Sequence, residues 1–139
     1  MGFLIDTSVW IDIERARISP AEVAAITGQE PIYVSPVTIA ELQYGAEIAK
    51  SPELRLKRFA GVAQLKRKAV LPIDETTGEI FGKLAAHLKS TGRGHDFRIQ
   101  DLWLSSQAIQ HALTLLTHNE KDFKDIPGIK LAVLIGPPT

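Results

Sequence analysis

Four short apolar runs, "FLI" at 3–5, "IYV" at 32–34, "LTLL" at 113–116 and "LAVLI" at 131–135, are separated by longer amphipathic segments. This alternation constrains the chain more than any other feature. Strands of that length interleaved with helices predict an α/β domain with a central, mainly parallel β-sheet flanked by α-helices. A further short strand is read in "AVLPI" at 69–73, where Pro72 argues against a central place because proline cannot donate to the ladder.

The helices carry their own punctuation. A first helix follows Asp6 through "TSVWIDIER", and residues 20–28 and 52–68 read as helical. In "SPVTIAELQYGAEIAK" Ser35 is the N-cap and Pro36 the first helical residue. The next helix starts near Asp74 or Thr76, shows a stripe of Ile80, Leu84 and Leu88, and stops at Gly92. "DLWLSSQAIQHA" reads as a helix over 101–112. With no repeat, linker or low-complexity tract, residues 1–139 are expected to form a single domain, with "GPPT" as a frayed tail.

Several function classes are excluded or disfavoured. Without cysteine there is no disulfide, thiolate metal site or cysteine nucleophile. Sixteen basic and sixteen acidic residues give zero formal charge, so no global field draws in nucleic acid. A polyanion would need a local patch or a bound cation. No apolar stretch approaches the roughly 20 residues that span a bilayer. The start carries no signal-peptide pattern. It opens Met-Gly, but Asp6 stands where a myristoylation motif wants Ser or Thr. The expectation is a cytoplasmic protein with no membrane partner. There is no phosphate-binding glycine loop after the first strand, which leaves little support for a nucleotide-binding domain.

Four acids stand out. Asp6 ends the first strand, where an open α/β sheet binds ligands, but it is equally placed to cap the following helix. Glu41 shares a helical stripe with Val37, Tyr44 and Ile48, a face that should pack inward. A buried unpaired charge there would cost several kcal/mol, so Glu41 calls for a basic partner or a cation. Asp101 opens a helix whose next turns carry Ser105, Ala108 and Ala112, although a first-turn acid also suits the helix dipole. Asn119 and Asp122 follow the strand at 113–116, where turn chemistry alone would account for them. Asp96, in "RGHDF", reads as a loop acid. In combination these residues are harder to dismiss. Clustered carboxylates raise one another's pKa unless something positive sits between them. Hard oxygen donors without cysteine or paired histidines point to Mg²⁺ or Mn²⁺ rather than Zn²⁺.

"LIDTSVWID", "SPVTIAELQYG", "DLWLSSQAI" and "LLTHNEKDFKDIPGIKL" together resemble the PIN-domain ribonucleases, and most of all the VapC toxins of toxin–antitoxin pairs. The resemblance covers nearly the whole chain in the same order. It implies a PIN-like fold and a Mg²⁺- or Mn²⁺-dependent endoribonuclease acting as the toxin of a type II pair. By position it implies that Asp6, Glu41, Asp101 and Asp122 are the catalytic, metal-binding acids, with Asn119 as an additional metal donor. It also implies an RNA substrate, a cognate antitoxin whose tail fills the groove, and a homodimer. Ser8 stands where the family often has Asn, "RGHDFRIQD" replaces the usual apolar-plus-glycine approach to the third acid, and "LSS" at 104–106 replaces the commoner "IAA". The last change is expected to put hydroxyls beneath the metal.

The expected chemistry is hydrolysis by a metal-bound water attacking phosphorus in line. Arg93, Arg98 and Lys121 are candidate RNA-backbone contacts, and His95 and His118 weaker ones. The basic run from Arg55 to Lys68 reads as the wet face of a helix rather than a phosphate-tracking patch, and Trp10 and Trp103 as packing residues. Two other readings stand beside this one. A phosphoryl-accepting aspartate enzyme would use an acid after the first strand but gives Glu41 no role. A non-catalytic RNA- or protein-binding module of the same fold would have no need of all four acids.

Overall fold

The computed structural model describes residues 2–93 and 98–135. Asp96 and His95, and the "GPPT" tail, lie outside the described residues. The strands are β1 (Phe3–Ile5), β2 (Ile32–Val34), β3 (Ala69–Val70), β4 (Thr114–Thr117) and β5 (Lys130–Val133). The helices are α1 (Thr7–Glu14), α2 (Pro20–Thr27), α3 (Pro36–Glu47), α4 (Pro52–Leu65), α5 (Glu75–Ser90) and α6 (Ile99–Gln110). All described strand pairs are parallel, in the order β3-β2-β1-β4-β5. The two-residue β3 lies at an edge and ends before Pro72, shorter than the 69–73 run read from sequence.

Alternate residues of each strand face opposite sides of the sheet. Leu4, Leu115 and Leu131 contribute to a core shared with Leu84 and Leu88 of α5 and Leu102, Leu104 and Ala108 of α6. Ile5, Leu116 and Ala132 face the other way, onto Val9 and Trp10 of α1 and Val23 of α2. The sheet is therefore covered by helices on both faces, which is why its strands read as continuous apolar runs. At the start of β1, a Cβ on Gly2 would lie 3.0 Å from both the Pro31 carbonyl oxygen and a Tyr33 ring carbon. Gly2 is thus explained by close packing.

Helix boundaries follow local chemistry. Ser19, Ser35 and Ser51 each accept a backbone N–H at an N-terminus, and each is followed by proline. Asp74 and Thr77 form a reciprocal capping box at α5, and the Thr77 N–H holds the Asp74 carboxyl below its usual range. Gly92 ends α5 with φ +86°, its N–H bonding to Lys89 and that of Arg93 to Leu88. Helix α6 begins two residues ahead of Asp101, at Ile99, so Asp101 sits inside the first turn instead of opening it.

One expected face is different. The stripe Val37, Glu41, Tyr44 and Ile48 does not pack inward along its length: Tyr44 and Ile48 are exposed, and the buried residues of α3 are Thr38 and Ala46. Helix α4 instead packs against the neighbouring side of α3, where Arg58 and Arg55 reach the Gly45 and Ala46 carbonyls.

Candidate functional site

In the strand order, β1 is flanked by β2 on one side and β4 on the other, so the chain reverses direction across the sheet between β1 and β4. A crevice opens outside the carboxyl ends of such strands. The acids gather there. Asp6 follows β1 and is 4% exposed. It holds the N-cap position of α1, yet its side chain caps nothing. Its Oδ2 instead accepts hydrogen bonds from Ser8 Oγ and Thr117 Oγ1, each 2.8 Å long. Thr117 Oγ1 in turn accepts the Asn119 backbone N–H at 2.9 Å. The parallel register pairs Ile5 with Leu116, which places Asp6 beside Thr117.

Glu41 projects from α3, its side chain 27% exposed. Thr7 Oγ1 donates to Glu41 Oε1 at 3.0 Å and lies 2.9 Å from Thr38 Oγ1. Both residues after the first acid thus hold a carboxylate: Ser8 the acid of β1, Thr7 that of α3.

Asp101 is 6% exposed in the first turn of α6. Its carboxyl pKa is pushed up to about 7, first by burial and then by the negative charges of Asp6, Asp122 and Glu41, with Arg98 pulling the other way. Four acids from separate parts of the chain therefore share one electrostatic environment. Asp122 reaches it from a 3₁₀ turn, Glu120–Asp122, after β4. Arg93 fastens this loop through the Asp125 carboxylate and, at 3.4 Å, the Asp122 carbonyl. Asn119 stands at the carboxyl end of β4, anchored by its backbone N–H.

Arg98 enters the crevice from the residue preceding α6. Its Nη2 lies 3.6 Å from Glu41 Oε2 and its Nε 3.9 Å from Asp101 Oδ2. Among the described residues, no three acidic or histidine side chains converge closely enough to grip an ion as they stand. Uncompensated like charges keep carboxylates apart, and here a guanidinium lies between two of them.

Other expectations resolve differently. The hydroxyls of "LSS" are not directed at the acids: Ser105 donates to the Asp101 carbonyl at 2.8 Å and Ser106 to the Leu102 carbonyl at 2.7 Å. His118, just past β4, is directed at α1 rather than at the acids, its Nε2 lying 3.0 Å from Asp12 Oδ2. The basic run is partly structural: Arg58 contacts Glu14 at 2.8 Å and the Gly45 carbonyl at 3.0 Å, and Arg55 contacts Glu47. Trp103 packs on Phe81, with ring centroids 4.2 Å apart. Trp10 lies beneath Lys68 on the wall of a groove of about 690 Å³ between α1, α3 and α4, to which Glu41 also contributes. Thr117 was not singled out by sequence. Its signal is the β1/β4 register, which a single chain does not reveal until the strands are paired.

The fold and the crevice define a class: parallel α/β domains that gather acids at the sheet's switch point. The chain belongs to the PIN domain family, whose profile matches residues 3–129, and within it to the VapC ribonucleases. It is 31% identical to ribonuclease VapC5 of Mycobacterium tuberculosis over 125 residues, covering 90% of this chain and 87% of that protein. Among solved structures, DNA-bound VapBC from Salmonella typhimurium matches with a TM-score of 0.82 and 26% identity, over 97% of this chain and 99% of that one. VapBC-5 of Mycobacterium tuberculosis, a member of the VapBC family of toxin–antitoxin systems, matches with a TM-score of 0.75 and 28% identity over 96% and 97%. No described helix is long and apolar enough to cross a membrane.

Proposed function

We propose that the chain is a Mg²⁺- or Mn²⁺-dependent endoribonuclease and the toxin of a type II toxin–antitoxin pair. One observation carries the reading: two nearly buried carboxylates, Asp6 and Asp101, share a crevice with Glu41 and Asp122, and burial, followed by the neighbouring negative charges, lifts Asp101 to about 7. Such an arrangement is stabilised by a bound cation and is unfavourable without one. All-oxygen donors fit a hard divalent ion. Asp6, Glu41, Asp101 and Asp122 would hold it directly or through water, with the Asn119 amide as a further oxygen donor.

When bound, the ion supplies charge neutralisation at the phosphodiester and a water acidic enough to attack it. The chain's own residues provide the geometry. Ser8 and Thr117 fix one Asp6 oxygen, Oδ2, while Oδ1 has no hydrogen bond among the described residues. Thr7 orients Glu41. Arg93 holds the loop that carries Asp122. Rigid support of this kind keeps donors within the narrow tolerance that catalysis needs.

The reading includes two protein partners. The groove between α1, α3 and α4, walled by Trp10, Leu42, Val62 and Leu65 with Glu41 among its lining residues, suits an antitoxin tail with an apolar stretch and a basic end. Exposed Tyr44 and Ile48 on α3 are candidate contacts for a second copy.

The test is RNA cleavage by antitoxin-free protein with Mg²⁺ or Mn²⁺, with and without EDTA, beside Asp6→Asn prepared in parallel. Cleavage abolished by both EDTA and the substitution is the expected result. Equal cleavage by wild type and variant marks a contaminating nuclease. A wild type that binds RNA and cuts none of the tRNA, ribosomal RNA or messages offered returns the chain to the class of binding modules.

A further inference from the structure

Arg98, a candidate RNA-backbone contact by sequence, lies in the structure against the proposed metal-binding acids themselves. It holds the N-cap position of α6, three residues ahead of Asp101. Its guanidinium reaches two acids that approach from different helices, Glu41 of α3 at 3.6 Å and Asp101 of α6 at 3.9 Å. Both distances are longer than a formed N–H···O hydrogen bond, so the arginine is held by charge and not by a committed bidentate pairing. Its side chain is 56% exposed, while that of Asp101 is 9% exposed. The charged end therefore sits at the mouth of the crevice with solvent on its other side. Long, half-exposed side chains in this position exchange between partners at little cost.

We propose that Arg98 is a resident counter-cation of the acidic crevice: a divalent ion must displace it, and once displaced it holds the RNA backbone at the crevice mouth. This rests on the metal-dependent nuclease reading above. Without the ion, Arg98 offsets part of the repulsion between Glu41 and Asp101. With the ion in place, the acids are compensated from within and the attraction that drew the guanidinium inward is removed. The arginine is then free beside the position of the scissile phosphate. Its planar fork of N–H donors suits two phosphate oxygens. Arg98 is thus a positioning and substrate-gripping residue whose two tasks are mutually exclusive, which couples metal loading to RNA capture.

The experiment is calorimetric titration of Mn²⁺ into wild type, Arg98→Ala, Arg98→Lys and Asp101→Asn, followed by RNA-cleavage kinetics at saturating Mn²⁺. Arg98→Ala is expected to bind Mn²⁺ about threefold to tenfold more tightly than wild type, the scale of removing two partly exposed ion pairs. Arg98→Lys keeps the charge and is expected to lie near wild type. In the kinetics, Arg98→Ala is expected to raise KM for RNA about threefold or more with kcat within about twofold, the signature of lost binding and not of lost chemistry. Equal or weaker Mn²⁺ affinity in Arg98→Ala, with wild type binding normally and Asp101→Asn not, overturns the counter-cation role and leaves the metal site standing. Unchanged KM overturns the substrate role. Failure of both wild type and Arg98→Ala to bind Mn²⁺ overturns the metal-site reading, and this inference with it.

Discussion

Thr117 donates its hydroxyl to Asp6 at 2.8 Å while accepting the backbone N–H of Asn119 at 2.9 Å. One buried hydroxyl thus links the acid of β1 to the loop that brings Asp122 to the crevice. Thr117→Val keeps the shape of the side chain and removes both bonds. It is expected to lower stability by about 1–2 kcal/mol, because the Asn119 N–H loses its acceptor. It is also expected to lower kcat about tenfold to a hundredfold through the loosened Asp6. Thr117→Ser should recover most of the activity. Chemical denaturation and single-substrate kinetics on the two variants measure both effects.

Asp101 makes folding pH-dependent. Its pKa rises from an ordinary 3.8 to about 7 in the folded chain. Below about pH 4 the group is protonated in both states and contributes no difference. Between there and about pH 7 the unfolded chain releases a proton that the folded chain retains, so stability falls as pH rises. Above about pH 7 the loss is complete and constant. Asp101→Asn removes this slope. In EDTA it is expected to melt progressively higher than wild type as pH rises from 4 to 7, while losing RNA cleavage at every pH. Parallel melting curves of the two proteins across that range contradict the shift.

On the proposed reading, a divalent cation in the crevice offsets the repulsion among the four acids. Mn²⁺ or Mg²⁺ is expected to raise the melting temperature of wild type at pH 7, by mass action on the folded state. The increase should disappear with EDTA and in Asp6→Asn. Scanning fluorimetry over a metal concentration series reads it directly.

Arg93 tests how firmly Asp122 must be held. Its guanidinium contacts the Asp125 carboxylate and the Asp122 carbonyl. Arg93→Ala is expected to speed amide exchange across residues 119–126 and to reduce kcat about tenfold, with only a small drop in melting temperature. Exchange unchanged in that loop would show that packing of Phe123 and Ile126 alone fixes it, since both are buried.

Arg58 separates structure from substrate binding in the basic run. It joins α4 to Glu14 and to the Gly45 carbonyl. Arg58→Ala is expected to lower stability by about 1 kcal/mol, because both partners of its ion pair are partly shielded from water. The salt dependence of RNA binding should stay as in wild type. A reduced salt slope would make this run a phosphate-tracking surface.

The strands and helices were legible because each is written locally. "FLI" and "IYV" are short and apolar because both sheet faces are covered, and the Ser-Pro pairs mark helix starts wherever they occur. The acids were legible as residue types at strand ends, and the family resemblance set them in order. Glu41 was the misleading case. Its stripe appeared inward-facing from spacing alone, yet Tyr44 and Ile48 are exposed, because periodicity defines a face and not what covers it.

The sequence by itself determined the element order and the parallel character of the sheet, since these depend on hydrophobic period and capping chemistry along a continuous chain. Tertiary structure alone decided which groups meet. Pairing β1 with β4 in register brings Thr117 to Asp6, and the approach of α6 to α3 lays Arg98 between Asp101 and Glu41. Thr117 with Asp6 and Arg98 with Glu41 join residues far apart in sequence, and those contacts are fixed by how strands register and helices pack, which no local pattern encodes.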